Sequence, residues 1–533
     1  MSEDLVSPPA VATRRYQELG YWTGETLGQW PSGMPGRAAR TALISPDRHM
    51  TFAELDLAAD RVAAGLRARG LRAGEHVIVQ LPNTPEFVVL SLALFRLGAL
   101  PVFALPAHRE AEITHLVDTA EATLYICPPE SLDAEYGRLA KAVAARCTSL
   151  REVLVAGESD SFAALDEVDA APVELPAPDP LDVALFLLSG GTTGRPKLIP
   201  RTHADYTYQL RESARLCGFG QDSRYLAALP AAHNFALACP GVLGVLRLGG
   251  TAVLAPAPTP EVCFPLIEQT RVTATSLVPP LLRLWLDAAD WNDCDLSSLQ
   301  LLQVGGAKLD ADTARQVPAA LGCMLQQVYG MAEGLLNYTR LDDPWDVVYR
   351  TQGRPLSPAD EILVLREDGV PAAPGEPGEL LTRGPYTLRG YYQAPEHNRV
   401  RFTKDGYYLT GDLVTRSADG NLEVVGRVND VVNRGGEKVP TLELEEHLGA
   451  DARIAAAAVV ALPDEMMGEC TCACVVPANA GDPPTLRGVQ AALRERGIAA
   501  YKLPDRLVVR SDLPLTAVGK VDKTTLREQV LTG

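Results

Sequence analysis

Short apolar runs alternate along this chain with longer stretches in which apolar residues recur every three or four positions. Residues 76–80 and 101–105 are runs of the first kind, and residues 55–70 and 86–97 are stretches of the second kind. The runs predict buried strands, and the longer stretches predict helices packed beside them. Because the two patterns alternate, we expect an α/β fold in which mostly parallel sheets are flanked by helices.

The pattern changes in the last third of the chain. After Gly390 it predicts short β-rich segments at residues 405–412 and 422–432. Helix and strand patterns then return at residues 442–448, 455–461, 471–476, 485–496 and 506–509. We therefore predict a large N-terminal domain with a β-rich subdomain, residues 1–429, and a small α+β C-terminal domain, residues 430–533.

The composition is typical of a globular protein with a large core. Of the 533 residues, 47% are hydrophobic and 22% are charged, and the formal net charge is −18. This excess of carboxylates disfavours nucleic acid and anionic membranes as partners, because clustered Lys and Arg bind phosphate groups. The first residues lack the pattern of a secretory signal, and no apolar run reaches the roughly 20 residues of a membrane helix. We expect a cytoplasmic protein with no nucleic-acid or membrane partner.

The cysteines do not indicate a disulfide scaffold or a metal centre. There are ten in the whole chain, which is sparse for its length. Cys470, Cys472 and Cys474 alternate within an apolar run, so a strand would turn all three side chains to one face. No second cluster with metal-ligand spacing accompanies them. We interpret the three as structural residues.

A loop rich in glycine and hydroxyl groups follows the apolar run at residues 182–188. It consists of Ser189, Gly190, Gly191, Thr192, Thr193, Gly194, Arg195, Pro196 and Lys197. Glycines allow close approach of the backbone, and hydroxyl and amide groups together surround a phosphate chain. The P-loop of common nucleotide triphosphatases requires Lys directly after the last Gly. Here Arg195 and Pro196 intervene, so the loop predicts a phosphate site of a different kind.

This loop resembles the phosphate loop of the adenylate-forming superfamily, which includes acyl-CoA ligases, luciferases and the adenylation domains of peptide synthetases. Four further segments resemble motifs of that superfamily in the expected order. They are residues 327–334, 408–412, 426–430 and 514–520. The resemblance covers nearly the whole chain. It implies the fold of an adenylate-forming enzyme and a reaction that uses ATP and Mg²⁺.

The resemblance assigns an ATP-binding role to a set of residues in these motifs and at positions 306 and 307. They are Ser189, Gly190, Gly191, Thr192, Thr193, Gly194, Lys197, Gly306, Ala307, Val328, Tyr329, Gly330, Met331, Asp412, Arg427 and Lys520. Each assignment has a chemical reason. The ring of Tyr329 offers a flat surface on which adenine can stack, and Asp412 accepts hydrogen bonds from ribose hydroxyls. The guanidinium of Arg427 donates charged hydrogen bonds to the ribose or the phosphate.

The same resemblance assigns His233, Glu333 and Lys520 to catalysis and Asp430 to a hinge between the two domains. Glu333 provides a hard oxygen ligand for a Mg²⁺ that bridges phosphates. Lys520 follows a glycine in a short turn, which suits a mobile point charge. One position departs from the usual motif, because Ala332 stands where most of the superfamily has threonine. The aryl-acid branch shares this departure.

Residues 230–241 carry information about the carboxylic acid. Adenylation domains for α-amino acids typically have an aspartate directly after the aromatic residue, whereas this chain has Ala236. An α-ammonium group would be desolvated without a counterion there, so we expect a substrate that lacks one. The segment resembles ligases for 2-hydroxyaryl acids, as do residues 16–22 and 334–339. The substrate-binding residues that this resemblance implies are Asn234, Phe235, Cys239, Gly305, Gly306, Gly330 and Leu336.

Three of these positions bear on the choice among aryl acids. The Asn234 amide is able to bond an ortho hydroxyl or a weakly basic ortho amine. Cys239 occupies a place where 2,3-dihydroxybenzoate ligases usually have serine, although a small inert core residue would explain it equally well. Leu336 is bulkier than the expected valine. We rank salicylate first, 2,3-dihydroxybenzoate second and anthranilate-type acids third.

The acceptor of the acyl group is predicted as a pantetheine thiol. It belongs either to an aryl carrier protein acting in trans or to coenzyme A, in the biosynthesis of a siderophore or another aryl-capped natural product. We leave open whether the enzyme is a monomer or a homodimer. Other readings are an aryl-CoA ligase for an anthranilate-type acid, a fatty acyl-CoA ligase, and a non-catalytic protein that binds ATP or an aryl acid. Asn234 disfavours the fatty acid, and the intact motif residues disfavour the non-catalytic reading.

Overall fold

The computed structural model describes residues 10–29, 36–189, 196–434, 437–464, 467–496, 498, 502–516 and 519–532. The glycine-rich loop predicted to bind phosphate falls largely outside these residues. Its members Gly190, Gly191, Thr192, Thr193, Gly194 and Arg195 are not among those described.

Two large sheets make up most of the described chain. One contains, in spatial order, the strands Ala163–Ala164, Glu152–Val155, Leu124–Cys127, His76–Val79, Leu100–Phe103, Val183–Leu188 and Leu198–Thr202. The other contains Arg354–Pro355, Leu335–Tyr338, Met324–Met331, Leu301–Gly305, Ala274–Leu277, Arg224–Ala227, Thr251–Leu254, Thr41–Ile44 and His49–Thr51. Neighbouring strands are parallel except near the edges, where Leu198–Thr202, Leu335–Tyr338, Arg354–Pro355 and His49–Thr51 run antiparallel.

Two smaller sheets follow. An antiparallel sheet contains Glu361–Leu365, Gly378–Arg383, Tyr408–Arg416 and Leu422–Arg427. The last sheet contains Glu437–Pro440, Val431–Arg434, Gly468–Pro477, Ile454–Asp464 and Arg506–Val509. Together with the two large sheets they confirm the predicted α/β fold with a β-rich subdomain and a small C-terminal domain.

Helices cover the faces of the large sheets and pack against the last one. They are Ala10–Glu18, Phe52–Ala68, Pro85–Leu97, Glu110–Ala120, Ala134–Arg146, His203–Leu216, Asn234–Ala238, Gly241–Arg247, Pro260–Thr270, Pro279–Ala289, Ala311–Leu321, Trp345–Arg350, Pro395–Arg401, Thr441–Gly449, Leu486–Glu495 and Lys523–Thr532. Within the residues that the structure describes, no helix is both long and apolar enough to cross a membrane.

Local sequence explains why the first predicted elements form where they do. Thr51 accepts a hydrogen bond from the backbone of Glu54, whose side chain bonds back to Thr51, so a capping box starts the helix Phe52–Ala68. The helix Pro85–Leu97 starts at a proline and ends at Gly98, whose φ of 71° suits glycine. The strand predicted at residues 76–80 lies parallel to the one predicted at residues 101–105.

The segment predicted as one β-rich unit at residues 422–432 is divided in the structure. Leu422–Arg427 belongs to the antiparallel four-stranded sheet, whereas Val431–Arg434 belongs to the last sheet. A 3₁₀ turn at Val428–Asp430 separates them. Apolar residues recur on both sides of the turn, so the apolar pattern alone does not mark the change of sheet, whereas the predicted hinge does. A hinge at Asp430 remains a prediction, and this turn supports it.

The alternating cysteines confirm their predicted face. Cys470, Cys472 and Cys474 lie in the strand Gly468–Pro477, and all three are buried with Leu526 in one apolar cluster. No group of three or more metal-binding side chains occurs among the described residues. The three cysteines pack as core residues.

Candidate active site

The predicted site residues gather where parallel strands of the larger sheet end. The strand Leu301–Gly305 leads into Gly306, and Arg224–Ala227 leads toward His233. Met324–Met331 carries Tyr329 and continues to Glu333. Ligands of open α/β sheets bind at the carboxyl ends of the strands, so the topology places these motifs at a binding crevice.

The base of the glycine-rich loop is closed by two hydrogen bonds. The backbone amide of Lys197 donates to Ser189 Oγ at 3.0 Å, and the backbone amide of Ser189 donates to the Lys197 carbonyl at 3.0 Å. These residues therefore hold the two ends of the loop together. Their predicted contacts with ATP remain predictions.

Tyr329, Asp412 and Arg427, which the sequence predicted as nucleotide ligands, contact one another. Tyr329 Oη donates to Asp412 Oδ2 at 2.6 Å, and Arg427 Nε donates to Asp412 Oδ1 at 2.9 Å. Asp412 and Arg427 stand opposite each other on neighbouring antiparallel strands, which explains their pairing. A carboxylate has about four lone-pair sites, so each oxygen of Asp412 keeps capacity for a ribose hydroxyl. Attraction to Asp412 raises the pKa of Arg427 and keeps it charged.

Glu333 is buried beside Tyr391, which lies outside the motifs, and Tyr391 in turn contacts Tyr408 of the motif at residues 408–412. Tyr391 Oη lies 2.8 Å from Glu333 Oε1 and 2.8 Å from Tyr408 Oη. Burial raises the pKa of Glu333, and the hydrogen bond from Tyr391 opposes that effect. Tyr391 comes from a segment without a motif, so only its position in the fold connects it with Glu333.

Glu333 fits a Mg²⁺ that is held mainly by the substrate. Mg²⁺ in nucleotide sites is typically bound by one or two carboxylates together with phosphate oxygens and water. Tyr391 bonds to one carboxylate oxygen of Glu333, so the second oxygen is left to bind Mg²⁺. A bound cation would also offset the burial that now raises the pKa of Glu333.

Lys520 reaches the same crevice from the C-terminal domain. A Cβ atom placed on Gly306 would lie 3.7 Å from Lys520 Cε. Desolvation and the charge of Arg427 lower the pKa of the Lys520 ammonium, while Asp412 and Glu333 act in the opposite direction. These interactions place the ammonium among the nucleotide-binding and metal-binding candidates. The structure thus brings the predicted catalytic lysine to the predicted site.

His233 starts the short helix that forms the other wall of the site. Its Nδ1 accepts a hydrogen bond from the backbone amide of Phe235 at 3.3 Å, which caps the helix Asn234–Ala238. Burial and the positive charge of Lys520 lower the pKa of His233 to about 4. The imidazole is therefore neutral near pH 7.

Two glycines make room for the side chains predicted to surround the acid. A Cβ atom on Gly305 would come within 3.2 Å of the Phe235 ring. The side chain of Leu336 packs directly over Gly330, where a Cβ atom would collide with it. A larger residue at position 305 or 330 would push Phe235 or Leu336 away from the strand ends.

Asn234 and Cys239 lie against each other, and both are buried. Asn234 Nδ2 is 3.8 Å from Cys239 Sγ, and the thiol donates toward the Asn234 carbonyl at 3.5 Å. Burial raises the pKa of Cys239 to about 12, so it is a neutral thiol. Tyr206 and Gln209, from the helix His203–Leu216, also contact Asn234. No motif marks Tyr206 or Gln209, so the sequence alone does not reveal their contact with Asn234.

An ion-pair cluster lies next to the predicted hinge. Lys523 Nζ is 3.7 Å from Asp430 Oδ2 and 2.8 Å from Glu445 Oε1. It also donates to Thr441 Oγ1 at 2.8 Å. Asp430 is thus paired with Lys523, in the last helix of the C-terminal domain.

Comparisons with known proteins agree with this arrangement. Residues 34–392 match the family model for the AMP-binding enzyme, and residues 443–520 match the model for the AMP-binding enzyme C-terminal domain. The chain belongs to the family of AMP-binding enzymes.

Similar proteins cover nearly its whole length. A 2,3-dihydroxybenzoate-AMP ligase of Bacillus subtilis is 50% identical over 98% of this chain and 97% of its own. A salicyl-AMP ligase / salicyl-S-ArCP synthetase of Mycobacterium tuberculosis is 47% identical over 98% of this chain and 94% of its own. The apo structure of MbtA from Mycobacterium smegmatis has 48% sequence identity and a TM-score of 0.76, with 99% of each chain covered.

Proposed function

We propose that this enzyme activates an ortho-substituted aryl carboxylic acid with ATP. The products are an aryl adenylate and pyrophosphate, and the aryl group then passes to a pantetheine thiol. Salicylate and 2,3-dihydroxybenzoate are the leading substrates. The names of the similar proteins support this substrate class, as does the buried Ala236, which leaves an α-ammonium group without a carboxylate at that position.

The observation that carries the proposal is the position of Lys520 against Gly306. The lysine interacts there with His233, at the start of the Asn234 helix, and with Asp412, at the nucleotide end. A single ammonium group is thus within electrostatic range of a residue at the acid end and of a residue at the nucleotide end. Joining a carboxylate to an α-phosphate calls for a cation between these two ends.

In the first half-reaction a carboxylate oxygen of the acid attacks the α-phosphorus of ATP. The new oxygen–phosphorus bond forms as the bond to the bridging oxygen of pyrophosphate breaks, and pyrophosphate leaves with that electron pair. Lys520 stabilises the negative charge that accumulates on the α-phosphate and the attacking carboxylate. Neutral His233 lines the acid end without adding charge. Mg²⁺, when bound at Glu333, would neutralise phosphate charge.

In the second half-reaction the pantetheine sulfur attacks the acyl carbon of the adenylate. The thiol loses its proton, a thioester forms and AMP leaves. The thiol belongs to an aryl carrier protein acting in trans or to coenzyme A. The pathway that we infer makes a siderophore or another aryl-capped natural product.

Acid-dependent exchange of radioactive pyrophosphate into ATP tests this function. The panel contains salicylate, 2,3-dihydroxybenzoate, benzoate, octanoate and phenylalanine, with the Lys520→Ala variant as the inactive control. We expect the fastest exchange with the two ortho-hydroxy acids. Faster exchange with octanoate or phenylalanine, or no exchange with any aryl acid, would overturn the proposal.

A further inference from the structure

A buried arginine fixes the direction of a hydrogen-bond chain that ends at Asn234. Arg201 is fully buried; its Nε bonds to Asp205 Oδ1 and its Nη2 bonds to Gln209 Oε1, both at 2.9 Å. A guanidinium only donates hydrogen bonds and does not deprotonate in proteins. The atom of Gln209 that faces Arg201 must therefore be the amide oxygen.

The other end of the Gln209 amide is fixed independently. Its Nε2 donates to the carbonyl of Ala238 at 3.1 Å and to Asn234 Oδ1 at 3.4 Å. A backbone carbonyl only accepts hydrogen bonds, so the nitrogen of Gln209 must lie on this side. Both ends of the side chain thus require the same orientation, and Gln209 presents a donor to Asn234.

Tyr206 adds a second donor to the same atom of Asn234. Tyr206 Oη lies 2.8 Å from Asn234 Oδ1, and Tyr206 is fully buried. If the Asn234 amide turned by half a rotation, its NH₂ group would face the Gln209 donor, and the tyrosine hydroxyl would lose its acceptor. Asn234 Nδ2 makes only a long contact with Cys239 Sγ, at 3.8 Å, among the described side chains. The amide is therefore held with its oxygen inside and with donor capacity left on its nitrogen.

We propose that Tyr206 and Gln209 are positioning residues that make Asn234 a hydrogen-bond donor toward the ortho atom of the acid. The inference rests on the proposed function, in which Asn234 faces the aryl ring. The enzyme then selects acids whose ortho atom accepts a hydrogen bond. It discriminates against acids whose ortho group only donates.

Salicylate and anthranilate differ in this respect although they have nearly the same shape. The phenolic hydrogen of salicylate bonds to its own carboxylate, so the oxygen offers a lone pair outward. In anthranilate one N–H bonds to the carboxylate and the second points outward, while the nitrogen lone pair is delocalised into the ring. Anthranilate would thus set one donor against another and leave both unpaired, which is costly in a buried site. Picolinate, whose ring nitrogen is an acceptor, should behave like salicylate.

Tyr206→Phe tests the inference because it removes one donor and keeps the ring that Arg201 contacts. Tyr208→Phe is the matched control, since Tyr208 is equally buried on the same helix but its hydroxyl bonds to Ser357. Adenylation kcat/KM is measured for salicylate, picolinate, anthranilate and benzoate in each variant. Benzoate has no ortho group and reports general damage.

We expect Tyr206→Phe to lower the ratio of kcat/KM for salicylate to kcat/KM for anthranilate by about 3- to 10-fold. The kcat/KM for picolinate should fall by the same factor as that for salicylate. The kcat/KM for benzoate should change less than about 2-fold. Tyr208→Phe should leave the ratio unchanged. A ratio that stays constant in Tyr206→Phe, or that falls equally in Tyr208→Phe, would overturn the positioning role.

Asn234→Leu separates this inference from the proposed function. It should reduce kcat/KM for salicylate up to about 100-fold and for benzoate much less, from a cost of about 1–3 kcal/mol for the unpaired ortho group. Equal losses for the two acids would place Asn234 outside the ring pocket and overturn the inference, whereas the proposed function would still be decided by the exchange panel. A selective loss here, combined with an unchanged ratio in Tyr206→Phe, would refute the positioning role alone.

Discussion

Lys308 and Glu446 form an ion pair, with Nζ and Oε1 2.9 Å apart, between the glycine segment that follows the strand Leu301–Gly305 and the helix Thr441–Gly449. Lys308 also binds Glu423 in the four-stranded sheet, at 3.0 Å. Burial opposes the charge of Lys308, but the two carboxylates raise its pKa above the usual value. The pair therefore joins the C-terminal domain to the crevice in the arrangement that brings in Lys520.

Glu446→Gln should weaken this arrangement and slow adenylation, because it removes only the ion pair to the C-terminal helix. A partly exposed pair is worth about 0.2–1 kcal/mol, so we expect a loss of up to about 5-fold in adenylation and no loss in thiol acylation. Glu423→Gln is the control, since it removes the same charge from Lys308 within the N-terminal part. Rapid-quench experiments measure the rate of each half-reaction in both variants. Equal effects of the two substitutions would show that Glu446 does not hold the domains.

Lys520→Ala should affect the two half-reactions very differently. Loss of one preorganised charged group typically costs about 10²–10³-fold where negative charge develops, so adenylate formation should fall by that factor. Thiol acylation from preformed aryl adenylate should stay within about an order of magnitude, because its transition state does not use the ammonium. The test times both steps separately. If both slowed equally, the division of roles between two conformations would be wrong.

Cys239→Ser should shift the choice between two acids. If the weak thiol donor limits bonding near a 3-hydroxyl, serine should raise the preference for 2,3-dihydroxybenzoate over salicylate by about 2- to 13-fold, from about 0.5–1.5 kcal/mol per hydrogen bond. The ratio of the two kcat/KM values measures this. Cys217→Ser is a matched control, because Cys217 is also buried but bonds to Gln326. An unchanged ratio would remove Cys239 from the specificity of the site.

A partly buried histidine, His76, makes stability depend on pH. Burial lowers the pKa of His76 to about 4, its ring lies 5.3 Å from Phe186 and 5.4 Å from Tyr392, and its Nε2 has no hydrogen-bond partner among the described residues. The folded state keeps the imidazole neutral, whereas the unfolded chain takes up a proton below about pH 6.5. The free energy of unfolding should therefore fall as pH drops from about 6.5 to about 4, by up to about 1.4 kcal/mol per pH unit for this group.

His76→Phe removes the proton site and keeps an aromatic ring against the same neighbours. Urea unfolding at pH 7 and pH 5 should show a smaller loss of stability in the variant than in the unmodified protein, by up to about 2 kcal/mol. The same pH dependence in both proteins would contradict a neutral His76 in the folded state.

The sequence predicted the fold well wherever local pattern and tertiary structure agree. The strands at His76–Val79 and Leu100–Phe103 were correct because buried parallel strands are continuously apolar. The apolar pattern predicted one β-rich segment at residues 422–432, which the structure divides between two sheets; only the motif at residues 426–430, with its hinge at Asp430, indicated a boundary there.

The site was predicted only as far as motifs extend. Tyr329, Asp412 and Arg427 lie in motifs, and the structure brings them into contact. Tyr206 and Tyr391 act on motif residues from other elements, and single tyrosines in a helix or loop carry no sequence signal. Their partners follow from packing, which one sequence alone does not reveal.

The most direct test of adenylation follows the carboxylate oxygens. Salicylate labelled with oxygen-18 in its carboxylate is incubated with enzyme and ATP, and hydroxylamine then attacks the acyl carbon in place of a thiol. Mass spectrometry of the released nucleotide should find AMP with one heavy oxygen, which was the bridging atom of the adenylate, and pyrophosphate with none. Heavy oxygen in pyrophosphate or in free phosphate, with unlabelled nucleotide, would contradict attack of an aryl carboxylate on the α-phosphorus.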